Sequence, residues 1–196
     1  IVDGAILEAH QAGRPLRILV TSSTYTAIDN VLIDIGDDLA AMAPGVCTTY
    51  RVRSGLREAP GNLGATVDVE LNRLAPSATV LDICNHLENN DTLIVVGTTP
   101  EQAHNLFTAS NGDAQREWFD LIVIDEASQI DVAHAILPLC GIADQGAVIL
   151  AGDPKQLPPI HQAEPPAGLE DLVGSAYAFF ERLHSVPSSA LDINYR

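Results

Sequence analysis

The sequence predicts an α/β protein with a mostly parallel sheet flanked by helices. Three observations carry that expectation. Short β-rich runs alternate with helical stretches along the chain. Several runs, Ile18-Leu19-Val20, Leu93-Ile94-Val95-Val96, Leu121-Ile122-Val123-Ile124 and Val148-Ile149-Leu150, are continuously apolar. A strand needs that pattern when helices cover both of its faces. Hydrophobic residues make up 46% of the 196, enough for a full core and too many for intrinsic disorder.

Taken in order, Ile1–Ala12 sets Ile1, Val2, Ala5, Ile6 and Ala9 at helical spacing, and Gly13 stops it. Strands are expected at Arg17–Thr21, Thr48–Val52, Thr92–Gly97, Asp120–Ile124 and Ala147–Ala151, with a weaker one at Ala190–Ile193. Helices are expected at Thr26–Met42, Ser77–Asn89, Pro100–Thr108, Asp131–Leu139 and Leu169–His184. Pro60–Pro76 and His161–Gly168 read as loops, punctuated by Pro and Gly.

Composition excludes several classes of protein. Lys+Arg is 10 against 26 Asp+Glu, a formal charge of −16. Such a chain is not a generic electrostatic binder of nucleic acid. Any such contact must come from local groups or from other parts of a longer protein. No apolar run approaches the ~18 residues of a membrane span, so no membrane partner is expected. Cys47, Cys84 and Cys140 lie far apart without a Cys-x-x-Cys, the pattern of reduced, buried thiols in a cytoplasmic protein. Lys155 is the only lysine and follows Pro154, so the chain contains no Gly-Lys-Ser/Thr phosphate loop. Arg51, Arg53 and Arg57 form the only basic cluster, beside Tyr50. On a strand Arg51 and Arg53 share a face. It reads as a solvated face, with contact to a nucleic-acid backbone as the alternative.

The strongest chemical signal is Phe119-Asp120-Leu121-Ile122-Val123-Ile124-Asp125-Glu126-Ala127-Ser128-Gln129. A buried strand here delivers two adjacent carboxylates at its C-terminal tip, where open α/β sheets bind ligands. Asp125 can hold Mg²⁺, which takes few protein oxygens. Glu126 can orient or deprotonate an attacking water. Taken alone, the pair equally fits a strand end whose acids cap the next helix. The next strand runs into Gly152-Asp153-Pro154-Lys155-Gln156-Leu157-Pro158-Pro159. Gly152 allows close backbone approach and the prolines stiffen the loop. A Gln156 amide held there suits sensing of a phosphate oxygen or a water. The expectation is that two neighbouring strands bring Asp125, Glu126 and Gln156 around one pocket. Ser23, Thr24 and Tyr25 follow a strand and precede a helix. They fit either an N-cap cluster or a phosphate site with Tyr25 stacked on a base. Thr98 and Thr99 carry the same two readings.

Together Asp125-Glu126-Ala127-Ser128-Gln129 and Gly152-Asp153-Pro154-Lys155-Gln156-Leu157-Pro158-Pro159 resemble motifs II and III of superfamily 1 helicases. The branch is the one containing the nonsense-decay and Okazaki-processing helicases. Leu19 to Asn30 resembles that branch's motif Ia, Ile94-Val95-Val96-Gly97-Thr98-Thr99 its next nucleic-acid-facing motif, and Leu191-Asp192-Ile193-Asn194-Tyr195-Arg196 motif IV. The resemblance implies a RecA-like P-loop NTPase core and an ATP- and Mg²⁺-dependent motor on single-stranded DNA or RNA. Asp125 would bind Mg²⁺ and Glu126 would be the catalytic base. Gly152, Asp153 and Gln156 would contact the nucleotide, and Arg196 would stabilise charge on the transferring phosphoryl. Ser23, Thr24, Tyr25, Thr98 and Thr99 would face nucleic acid.

It also implies a partial first RecA-like domain. A P-loop would lie upstream, a second RecA-like domain would follow Arg196, and residues 33–91 would contain the region of a small inserted subdomain. Such a piece would be inactive alone and would leave Ala147–Ala151 with one unpaired edge. The alternative is a degenerate RecA-like module that binds nucleic acid or a protein without hydrolysis.

Overall fold

The computed structural model describes residues 1–56, 61–89, 92–109, 116–157, 159, 167–168, 172–184 and 186–190. Its elements alternate as α1 (Val2–Gln11), β1 (Leu16–Thr21), α2 (Tyr25–Met42), β2 (Thr48–Ser54), β3 (Val67–Leu71), α3 (Ala78–Asn89), β4 (Leu93–Thr98), α4 (Pro100–Ala109), β5 (Phe119–Ile124), α5 (Val132–Leu139), β6 (Ile142–Leu150) and α6 (Ala176–His184). The strands form one six-stranded sheet in the order β3-β2-β4-β1-β5-β6. Every pairing within it is parallel. This is the parallel α/β sheet that the apolar strand runs imply, and it is consistent with the RecA-like core that the resemblance implies.

Two cores follow from strand alternation. On one face Leu19, Ile94, Val96, Ile122 and Ile124 pack beneath α3, α4 and α5. On the other, Ile18, Val20, Val95, Leu121 and Val123 meet Ile6 of α1 and Ile28, Leu32, Ile35 and Leu39 of α2. Gly97 is required at the second face. A Cβ there would lie 2.5 Å from a Leu32 methyl and 2.8 Å from one of Ile28. Crossover helices on both faces also put every strand's C-terminal end along one edge, and that edge carries the motifs.

Three expectations are corrected. Pro60–Pro76 is not all loop, because it contains β3. Val69 and Leu71 point inward, and the intervening Asp68 and Glu70, which look like solvent-facing acids, pair with arginines of β2. β6 starts five residues before Ala147. A register shift in its pairing with β5 falls between Phe119 and Leu121. The last helix begins at Ala176, where the Ser175 hydroxyl accepts the Ala178 N–H at 3.2 Å. Leu191–Ile193 of the weak strand candidate lies outside the described residues. β6 pairs with β5 on one side, and Val148 stays 39% exposed. β2 and β3, from the 33–91 region, belong to the main sheet.

At the opposite edge a buried ion pair fastens the core. Arg17 grips Asp120 through two nitrogens, at 2.8 and 3.1 Å, and donates to the Leu87 carbonyl at 2.9 Å. It thereby joins β1, β5 and the end of α3. Arg17→Met should cost about 3 kcal/mol, because the half-buried Asp120 carboxylate loses its cationic partner and keeps only the backbone N–H of residue 17, at 2.9 Å, while the Leu87 carbonyl loses its side-chain donor. Urea denaturation reads this directly.

Burial holds the Cys47 and Cys84 thiols neutral. It pushes Cys47 up to about 12 and Cys84 up to about 11, from an ordinary value of 9.0. In the unfolded chain both ionise first, so stability is fully present below pH 9 and falls as pH climbs through the range up to those raised values. Denaturation curves between pH 8 and 11 should show that decline. Cys47→Ser/Cys84→Ser should flatten it.

Candidate active site

The acidic turn is built by extending the sheet's own ladders. The Asp125 N–H donates to the Thr21 carbonyl at 2.8 Å, carrying the β1–β5 pairing one residue past the strand. The Ala151 N–H donates to the Ile124 carbonyl at 2.9 Å, and the Ala127 N–H to the Ala151 carbonyl at 2.8 Å. Asp125 and Glu126 are thus clamped between the tips of β1 and β6. The Asp125 carboxylate accepts the Glu126 N–H at 2.9 Å. Glu126 is the one non-glycine residue with a positive φ, 51°, among those described. That left-handed backbone turns its side chain back toward β1, where the buried Ser22 hydroxyl lies 3.5 Å from Oε2. The acids do not cap α5; Asp131 does so, accepting the His134 N–H at 2.8 Å.

The second loop closes onto this turn. A Cβ on Gly152 would stand 3.0 Å from the Ser128 backbone nitrogen and 3.3 Å from that of Ala127. Only glycine permits the approach without displacement. Asp153 shapes the loop itself: its carboxylate accepts the Lys155 N–H at 2.9 Å and its carbonyl the Gln156 N–H at 3.0 Å. The Gln156 side-chain oxygen accepts from the Gln129 amide at 2.7 Å. Gln129 in turn is tied to Glu126 by a backbone bond of 2.8 Å. Gln156 therefore stands on the same rim as the two acids. Ser128 Oγ and Thr21 Oγ1 are buried here without a hydrogen-bond partner. Arg196 lies outside the described residues.

On the same edge, a cavity of about 630 Å³ is lined by Ser23, Thr24, Tyr25, Thr26, Arg51, Ser54, Thr99, Glu101 and Gln102. Thr24 is the N-cap of α2, its hydroxyl accepting the Ala27 N–H at 3.3 Å. Ser23 and Thr24 are exposed and Thr99 is half-buried. Thr98 does not line the cavity. It is 0% exposed, and its hydroxyl donates to the Val52 carbonyl at 2.7 Å. Tyr25 donates to that same carbonyl at 3.3 Å. Burial raises the Tyr25 phenol above its ordinary value, against smaller opposing effects of Thr99, Thr98 and Arg51.

The expectation of a solvated Arg51 and Arg53 is overturned; Arg57 lies outside the described residues. Arg51 is 4% exposed, with Nε on Asp29 at 2.5 Å and Nη1 on Asp68 at 3.0 Å. Arg53 reaches the other Asp68 oxygen at 2.8 Å. The missed signal was Asp29, four residues after Tyr25 and hence on the same side of α2.

Fold and edge define a class: an α/β RecA-like core with an acidic strand-tip turn closed by a Gly-Asp-Pro-Lys-Gln loop. Comparisons with known proteins agree. Residues 85–164 match the AAA domain family. The chain is 29% identical to the DNA replication ATP-dependent helicase/nuclease DNA2 of Saccharomyces cerevisiae, over 92% of this chain and 10% of that protein. It is 26% identical to the probable helicase MAGATAMA 3 of Arabidopsis thaliana, over 92% of this chain and 22% of that protein. The chain thus spans a minor part of each relative's length. Along most of its own length it is similar to these helicases. No helix among the described residues is long and apolar enough to cross a membrane.

The left-handed turn has a measurable cost. Glu126→Gly should raise stability by about 1 kcal/mol, because glycine adopts this conformation without the Cβ penalty. Glu126→Ala keeps the penalty and should leave stability close to wild type. Thermal melts of the two variants separate these outcomes.

Proposed function

We propose that the protein carrying this chain hydrolyses ATP with Mg²⁺ and uses the energy to move along single-stranded DNA or RNA. The chain corresponds to most of the first RecA-like domain, and a second one completes the motor. The observation that carries this reading is the clamp just described. Backbone bonds from β1 and β6 hold Asp125 and Glu126 on the rim where Gln129 grips Gln156.

The residues fit a magnesium–nucleotide pair. Among the described residues no cluster of three or more His, Cys, Asp or Glu could enclose a metal. A cation here would rest on one carboxylate and take its other oxygens from phosphate and water, which is how Mg²⁺ is ordinarily held. The orphaned hydroxyls of Ser128 and Thr21 suit an edge completed by water or phosphate oxygens. Mg²⁺ supplies neutralisation of phosphate charge when bound.

The chain's own residues do the rest. Asp125 holds the ion. Glu126 orients the attacking water and takes its proton, with Ser22 steadying the carboxylate. Gly152 lets the loop lie against the turn, and Asp153 sets its shape beside the nucleotide. Gln156 exchanges its Gln129 contact for a γ-phosphate oxygen, which makes loop position depend on nucleotide state. Arg196 supplies positive charge to the transferring phosphoryl. Ser23, Thr24, Tyr25 and Thr99 contact the nucleic acid at the neighbouring cavity, while Thr98 supports them from beneath.

The second reading is a degenerate RecA-like module that binds nucleic acid or protein without turnover. Steady-state ATPase assays on the protein carrying this chain decide between them. Mg²⁺-dependent hydrolysis stimulated by single-stranded nucleic acid is expected. Glu126→Gln should lower it at least about 100-fold while nucleotide binding persists. Nucleic-acid binding with no hydrolysis in the wild type would establish the second reading instead.

A further inference from the structure

We propose that Arg51 is a positioning residue for Tyr25, holding its ring at the cavity wall so that the face turned away from Arg51 stacks on a base of single-stranded nucleic acid. The inference rests on the nucleic-acid reading of that cavity and extends it to a residue outside the helicase-like motifs. The Arg51 guanidinium carbon lies 4.4 Å from the Tyr25 ring centroid. That is within the range of a cation–π contact. One ring face is therefore covered by a planar group from β2. The ring is fixed at a second point, where its hydroxyl meets the Val52 carbonyl at 3.3 Å. Both anchors come from β2, so Tyr25 at the start of α2 cannot turn away without breaking contacts to that strand.

Arg51 is itself immobilised. Asp29 takes Nε at 2.5 Å and Asp68 takes Nη1 at 3.0 Å. Asp29 lies on α2 and Asp68 on β3, so the guanidinium is gripped from two elements. Two carboxylates already compensate its charge, and at 4% exposure it is poorly placed to meet a phosphate as a mobile side chain would. What it offers the ring is a guanidinium fixed 4.4 Å from the centroid. This suits a chain of net charge −16, whose field opposes a phosphate backbone but not base stacking.

Binding of fluorescein-labelled oligo(dT) and oligo(rU) tests this in the protein carrying the chain, by anisotropy at several salt concentrations. Tyr25→Ala should weaken binding about 10-fold. Arg51→Lys keeps the charge but loses the planar platform, and should weaken it about 3- to 10-fold. In the Tyr25→Ala background Arg51→Lys should add no further loss, and the salt slope should not change. Asp29→Asn, which loosens the guanidinium and leaves Arg51 in place, should show the same dependence on Tyr25. Melting temperatures confirm that each variant is folded, and the Asp29 variant carries the test if Arg51→Lys is not. An equal loss in both backgrounds would overturn the proposal. So would an unchanged affinity, or a slope reduced by about one, the mark of a direct phosphate contact. Failure of the wild type to bind either oligonucleotide would instead overturn the nucleic-acid reading, and this inference with it.

Discussion

Three backbone hydrogen bonds beyond the strand ends set the rest of this edge. The N–H groups of Asp125, Ala127 and Ala151 reach the carbonyls of Thr21, Ala151 and Ile124 at 2.8 to 2.9 Å. They convert the loose end of β5 into a turn held from both sides. Without them, two adjacent carboxylates would repel one another into solvent. With them, the acids keep one geometry. The left-handed Glu126 is tolerable because its neighbours over-determine it. The position of Gln156 follows from the same clamp, through Gly152 and Gln129.

The second organising strand is β2. Its Val52 carbonyl accepts from Tyr25 and Thr98 together, so it joins the entry to α2 with the end of β4. Its two arginines tie β3 and α2 to the sheet. The nucleic-acid candidates therefore rest on a strand that contributes none of the recognisable helicase motifs. A shift of β1 or α2 relative to β5 would be felt at both ends of the edge, since Ser22 touches Glu126 and the next residues line the cavity. In the proposed function, that contiguity would be the route from nucleotide state to grip on a strand.

Legibility in the sequence tracked how local the determining interactions are. The central strands were readable because burial on both faces forces continuous apolar runs, as in Leu121 to Ile124. The acidic turn and its loop were readable because glycine, prolines and paired acids announce a shaped strand tip. β3 was not, because Asp68 and Glu70 look like solvent-facing acids until Arg51 and Arg53 are brought opposite them. Burial of Arg51 depends on partners 22 residues before and 17 after it, which no local pattern reveals. Thr98 and Thr99 looked equivalent in sequence. Strand alternation sent one hydroxyl into the sheet and left the other at the cavity.

The most direct test is a crystal structure of the protein carrying this chain with Mg²⁺ and a non-hydrolysable ATP analogue. The metal is expected on Asp125, the Glu126 carboxylate within reach of a water in line with the γ-phosphate, and the Gln156 amide moved from Gln129 onto a γ-phosphate oxygen. A nucleotide bound elsewhere, or one that leaves Gln156 on Gln129 and far from the phosphates, would contradict this arrangement.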